Sequence, residues 1–229
     1  MLIRDHHAKD PYEQGLWCNV LGEYLEPSTI EPFDFFPHLL REEIMQKFFG
    51  SSSANELYSP RNGLLMNRRI EKHFCEFSIV IVPINDPMTH RRWKTMVLNK
   101  RLLNEQISEG SSETFKIIHD KELTFKGKAR PAARYAYFHY MVAMMKIAAT
   151  TELGILSSDY QTNCWDEPTF RRYLVFDSLS KLTEEIGKCT LSELPEIRKR
   201  FFGQSAWETG NEETTAKLVV DALNKRMQG

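Results

Sequence analysis

Paired cysteines are missing from this chain of 229 residues. Its four cysteines, Cys18, Cys75, Cys164 and Cys189, lie far apart, and none belongs to a CxxC pair. That spacing argues against a cysteine-rich zinc site and for reduced thiols in an intracellular protein. No apolar run approaches ~18 residues, so no membrane span is expected. The start, Met1-Leu2-Ile3-Arg4-Asp5, lacks the apolar stretch of a signal peptide. A cytoplasmic protein is the resulting expectation. A basic excess is also missing: 30 Lys and Arg stand against 31 Asp and Glu, a formal charge of -1. Proteins that live on phosphate contacts usually carry such an excess, because Lys and Arg release counterions on binding. Nucleic acid is therefore disfavoured as the main partner. There is no internal repeat and no long low-complexity stretch.

What is present is an ordered series of short signals. Residues 1–37 read as irregular, punctuated by Pro11, Gly15, Gly22, Pro27, Pro32 and Pro37. His38 to Phe49 reads as a helix with Leu39, Leu40, Ile44, Phe48 and Phe49 near one face, ended by Gly50-Ser51-Ser52-Ser53. Asn62 to Phe74 reads as a second helix. Phe77 to Val82 is a buried strand rich in β-branched residues. Trp93 to Asn99 suits another strand, and Phe115 to Phe125 a hairpin turning near Asp120-Lys121. Ala132 to Thr151 is a long helix with apolar residues on more than one face, which predicts burial on several sides. Further helices are expected near 167–187, 192–202 and 212–227. The fold class is α+β in one domain, 1–229, with a mixed part over 1–125 and a helical part over 126–229.

Several of these segments carry a family likeness by their order: Arg4-Asp5, Cys18-Asn19-Val20-Leu21-Gly22, Ser28-Thr29-Ile30-Glu31-Pro32-Phe33, Asn62-Gly63-Leu64-Leu65 and Ile70-Glu71-Lys72-His73-Phe74-Cys75. The strand Phe77 to Val82 follows, and later Arg130-Pro131 enters the aromatic stretch Tyr135 to Tyr140. Together they resemble fungal HNH-nuclease-like proteins over roughly residues 4–150. The resemblance implies a ββα-metal module in the first part of the chain.

It also implies a chemistry that this chain does not keep. In such a site a first His takes a proton from the attacking water. A third His and a neighbouring ligand hold a divalent metal that stabilises charge on the phosphate. Here Thr29 stands at the first position, Glu71 at the third and Cys75 at the acid that follows, while Asn62 remains. A hydroxyl, a carboxylate and a thiol make a poor set for a hard cation. His73 and His38 are displaced from the family positions and would require a rebuilt site. No metal and no cofactor are therefore expected.

A lapsed metal site leaves a cleft beside the old catalytic helix, walled by Phe33, Phe35, Phe36, Cys75, Tyr137 and Tyr140. Such a cleft suits an apolar small molecule with a few polar handles. Degenerate members of this kind look similar to metal-free cyclases of fungal secondary metabolism, among them norbornene-forming Diels–Alder cyclases of sordarin-type pathways. The expected reaction is then an intramolecular cycloaddition of a terpenoid or polyene, aided by conformational restriction and by one donor to a carbonyl. Thr29, His73, His139 or a nearby Arg or Tyr could be that donor, with Asn62 and Glu71 completing the candidate site; the sequence does not choose among them. A weak nuclease or nucleic-acid binder, supported by the basic run His90-Arg91-Arg92-Trp93-Lys94, and a non-catalytic interaction module are the competing readings. A homodimer is left open. His6-His7 reads as a solvated stretch, and Met141, Met144 and Met145 as core filler.

Overall fold

The computed structural model describes residues 15–84, 92–108, 110–150, 165, 220–221, 223–225 and 227. Within it, residues 15–37 are not irregular: they form three short strands, β1 (Leu16–Cys18), β2 (Glu23–Leu25) and β3 (Ile30–Asp34). The first two pair with each other, Trp17 opposite Tyr24. Pro32 stands at an exposed position in the middle of β3 without preventing its pairing, because β3 is an edge strand of a two-stranded sheet. Asn19, buried after β1, exchanges backbone bonds with Leu65 and Thr124, and its side-chain oxygen also accepts from the Leu65 N–H at 3.0 Å.

Helix α1 is shorter than the apolar pattern suggests. It spans Glu42–Phe49, with Glu42 and Glu43 in the first turn and Lys47 in the last, the charge order that a helix dipole favours. Pro37 to Leu40 forms a turn instead, closed by the Leu40 N–H on the Pro37 carbonyl at 3.0 Å. Gly50, at φ 77°, stops the helix in a conformation that side-chain-bearing residues disfavour.

The expected helix over Asn62 to Phe74 divides in two. Gly63–Asn67 is strand β4, antiparallel to β3, with Ile30 opposite Asn67 and Asp34 opposite Gly63. Helix α2 begins only at Arg68 and runs to Cys75. Asn67 caps it, its side chain accepting the Arg69 N–H at 2.9 Å. Leu64, Leu65 and Met66 are all buried, so β4 is covered on both sides and shows none of the alternation that marks a half-exposed strand. The result is a strand–strand–helix unit, β3–β4–α2, with α1 inserted in the connection.

Strands β5 (Ile79–Pro83) and β6 (Trp93–Val97) pair antiparallel, as their apolar runs predict. The segment after them is not a hairpin. Phe115–Ile118 is a 3-10 turn, and residues 120–123 pair with β6 through the Thr95 N–H to Lys121 O (3.0 Å) and the Leu123 N–H to Trp93 O (2.8 Å). The free edge of β6 captures the chain before it can fold back on itself. Asp120 makes the reversal at φ 61°, a conformation Asp tolerates better than most residues.

Helix α3 (Ala133–Thr150) is buried from Tyr135 to Met145, in keeping with its apolar circumference. Phe36, Phe48 and Phe49 pack on Phe138 with centroids 5.3, 5.8 and 5.8 Å away. A polar clamp ties the start of α3 to the 50–62 connection. The Glu56 carboxylate accepts from Tyr135 Oη (2.7 Å), from Arg134 and from Arg61. Burial raises the pKa of Glu56, but the hydrogen bonds from Tyr135 and Arg134, with the charges of Arg134 and Arg61, outweigh it and leave the group below the ordinary carboxylate value. Burial and the same carboxylate push the Tyr135 phenol up. Positions 220, 221, 223–225 and 227 are helical; the expected helices at 167–187 and 192–202 lie outside the described residues. No helix among the described residues is long and apolar enough to cross a membrane.

Candidate functional site

Thr29 stands just before β3, and Glu71 and Cys75 stand on α2, but the β3–β4–α2 unit does not make a metal site of them. Thr29 ends a 3-10 turn (Pro27–Thr29) just before β3, and its hydroxyl donates to the Glu26 carbonyl at 2.8 Å. Glu71 and Cys75 are one turn apart on α2, and the Cys75 thiol donates to Glu71 Oε1 at 2.8 Å. Among the described residues, no three His, Cys, Asp or Glu side chains converge closely enough to hold a metal. The donor types at these three positions agree with that geometry: a hydroxyl that donates to a carbonyl and a thiol bonded to Glu71 do not suit a hard divalent ion.

Asn62 is fully buried and fully used. Its amide donates to Phe36 O (2.8 Å) and Leu57 O (3.0 Å), and its oxygen accepts the Phe36 N–H at 2.9 Å. Both faces of its amide thus clamp the backbone that follows β3. It reaches no open surface.

His73 points away from Glu71. Its Nδ1 faces Glu76 at 3.0 Å and its ring meets Phe115 edge-on at 4.9 Å. His139 is 1% exposed. Its Nε2–H donates to the Phe74 carbonyl at 2.9 Å, and its ring stacks on Phe77 at 4.9 Å with Phe33 edge-on at 5.1 Å. The aromatic candidates are core residues: Phe33, Phe35 and Phe36 have no exposed surface, and Tyr137 and Tyr140 pack on Trp165 at 5.1 and 6.3 Å. Cys75 is buried beside them in the same core.

Among the described residues, a cleft of about 250 Å³ lies over β3 and the start of the following turn. Pro32, Asp34, Pro37, His38, Leu39, Glu71 and Lys225 line it. Of the sequence candidates, only Glu71 is there. His38 Nδ1 lies 2.8 Å from Asp34 Oδ2, and Leu39 is 61% exposed. Sequence reasoning passed over Asp34 and Lys225. The one signal was the four-residue spacing of Asp34 and His38, which has meaning on a helix but not across Phe35-Phe36-Pro37.

The basic run is largely neutralised where it is described. Arg92 makes two bonds to the Glu122 carboxylate, at 2.8 and 2.6 Å, and Lys94 one to Asp120 at 2.6 Å. His90, Arg91 and the His6-His7 pair lie outside the described residues.

Residues 23–82 match the family model described as HNH endonuclease. The match runs from β2 into β5, so the chain carries an HNH endonuclease-like domain there within an α+β fold. No curated protein and no solved structure matches the chain.

Proposed function

We propose that this HNH-like domain has exchanged metal-dependent phosphodiester cleavage for metal-free chemistry on a small molecule bound in the cleft over β3 and α2. The observation that carries the reading is the Cys75–Glu71 hydrogen bond. It ties up, at the position where a metal ligand would stand, the carboxylate that borders the cleft. The divalent metal that the family implies does not fit this donor set, and no step is assigned to one.

Pro32, Pro37 and Leu39 give the cleft an apolar wall, while Asp34, His38, Glu71 and Lys225 give it polar handles. That mixture is what small-molecule sites generally show. The volume, about 250 Å³, falls below the ~300–1,000 Å³ of most enclosed ligand sites. It would receive the reacting end of a terpenoid or polyene, with the remainder outside. Cyclisation of such a substrate, with an intramolecular Diels–Alder cycloaddition as the specific case, is the reaction we assign; its support is the sequence resemblance together with this cleft. The protein would restrict the chain to a reactive conformer and polarise a carbonyl with a donor from the polar wall.

The test is incubation of the purified protein with a linear polyene bearing a conjugated carbonyl, with and without EDTA. An isomer of unchanged mass, formed faster than in buffer and insensitive to chelator, is the expected result. Plasmid nicking that requires added metal and is lost with EDTA would overturn the reading in favour of a nuclease.

A further inference from the structure

The geometry points to Asp34 and His38 as the acid–base centre of the cleft, acting on a small unsaturated ketone; this rests on the metal-free reading above. A carboxylate only accepts hydrogen bonds. The ring nitrogen 2.8 Å from Asp34 Oδ2 therefore carries the proton, and it is Nδ1. In the neutral ring Nε2 is then the basic nitrogen, the tautomer being set by the partner of the other nitrogen. His38 lines the cleft, and with Nδ1 engaged by Asp34 its Nε2 is the ring nitrogen left for a ligand.

Both partners stand on fixed backbone. Asp34 ends β3 opposite Gly63. His38 follows the segment that Asn62 clamps at Phe36, inside a turn closed by Leu40 N–H on Pro37 O. With Asp34 23% and His38 57% exposed, the pair adds only ~0–1 kcal/mol to stability. Its orientation is set by the surrounding fold more than by its own attraction. Among the described residues, the remaining charged groups that line the cleft with His38 are Glu71, from α2, and Lys225, from the C-terminal helical positions.

The chemistry follows from that set. His38 Nε2 removes a proton from the carbon between a carbonyl and a β,γ double bond. The electron pair delocalises as a dienolate, its oxygen balanced by the Lys225 ammonium. The imidazolium, stabilised by Asp34, returns the same proton at the γ carbon, and the double bond moves into conjugation. No atom or electron is gained or lost. Such an isomerisation prepares a conjugated substrate of the kind that a cycloaddition consumes.

The test uses the full chain and a β,γ-unsaturated cyclohexenone, with conjugation followed in the ultraviolet. His38→Gln should lower the rate about 100-fold, within the usual ~10²–10⁴ contribution of a general base. Asp34→Asn should lower it about 10-fold, a loss of ~1.4 kcal/mol in transition-state stabilisation. The loss should fall on kcat with KM little changed, the split expected when an interaction made only in the transition state is removed. Lys225→Met should likewise lower kcat, because the charge that develops on the dienolate oxygen loses its partner. Wild-type rates in His38→Gln, a loss confined to KM in Asp34→Asn, or no turnover above buffer would each overturn the assignment. If the ketone shifts the amide resonances of Leu39 and Glu71 without reacting, the cleft stands as a ligand site and only the acid–base pair falls. Metal-dependent, chelator-sensitive nicking without ketone binding would instead remove the metal-free reading itself.

Discussion

The Cys75 thiol and the Glu71 carboxylate meet at 2.8 Å, one turn apart on α2 and beneath the rim of the cleft. A thiol donating to a carboxylate lowers the tendency of both to serve a cation, because the thiol's proton and one carboxylate oxygen are already engaged.

Metal binding at Thr29, Glu71 and Cys75 should accordingly be absent from the wild-type chain. A site saturated ~100-fold over its Kd would add ~2.7 kcal/mol, several degrees in Tm for a domain of this size. Thermal unfolding with magnesium or manganese should show no such rise over EDTA. The triple variant Thr29→His, Glu71→His, Cys75→Asp should gain one that chelator reverses. A chelator-sensitive rise in the wild type would contradict the donor-set argument.

Asn62 makes three buried hydrogen bonds to backbone. Asn62→Ala strands all of those partners, each costing ~1–3 kcal/mol when left unpaired. The expected loss is ~3 kcal/mol or more in urea unfolding, with the His38 resonance also perturbed because its turn is released. A loss below ~1 kcal/mol would mean that water replaces the clamp.

Phe77 sits at φ 63°, an unfavourable conformation for a bulky residue, just after α2. Strain of this kind costs ~1–2 kcal/mol. Its ring is 4% exposed and stacks on His139 at 4.9 Å, and removing a buried Phe ring costs ~3–5 kcal/mol. Packing wins, so Phe77→Gly should destabilise by roughly 2 kcal/mol or more. A neutral or stabilising outcome in denaturant titration would show that backbone strain dominates.

The Glu56 clamp predicts acid sensitivity. Its pKa is lowered in the folded state, against the upward pull of burial, by the bonds from Tyr135 and Arg134 and by the charges of Arg134 and Arg61. The contribution to stability is thus present above the ordinary carboxylate pKa and is lost as pH falls through the lower, folded value. Glu56→Gln should destabilise near neutral pH and flatten the acid limb of a Tm-against-pH curve. An unchanged limb would assign acid unfolding to other carboxylates.

Arg92 and Lys94 are held by Glu122 and Asp120. Charge-neutral replacement of both acids, Glu122→Gln with Asp120→Asn, should raise affinity for duplex DNA at low salt. It should also steepen the salt dependence, since each freed cation can displace one condensed counterion. Equal anisotropy titrations for the variant and the wild type would show that this edge never meets phosphate.

Much of the scaffold was legible from residue order. The Ile79–Val82 run and the apolar circumference of residues 133–150 could only be satisfied by burial, because exposing them to water costs too much at any fold. The residues at the former metal positions, Thr29, Glu71 and Cys75, were also legible, since ligand chemistry is a property of side-chain type. Gly63-Leu64-Leu65-Met66-Asn67 was not legible as a strand. Its residues suit a helix as well, and the decision came from pairing with Ile30–Asp34 some thirty residues away and from burial on both faces.

The cleft lay furthest from the sequence. Phe33, Phe35 and Phe36 looked like its walls, yet the close packing of α3 against β3 and α1 draws them wholly inside. Asp34 and His38 looked unrelated, since Pro37 rules out a helix between them. They meet because β3 ends where Asn62 bends the chain and a tight turn returns His38 over the strand end. Residue type fixes what a side chain can do; which side chains share a cleft depends on long-range backbone bonds, such as those of Asn62, that local patterns do not encode.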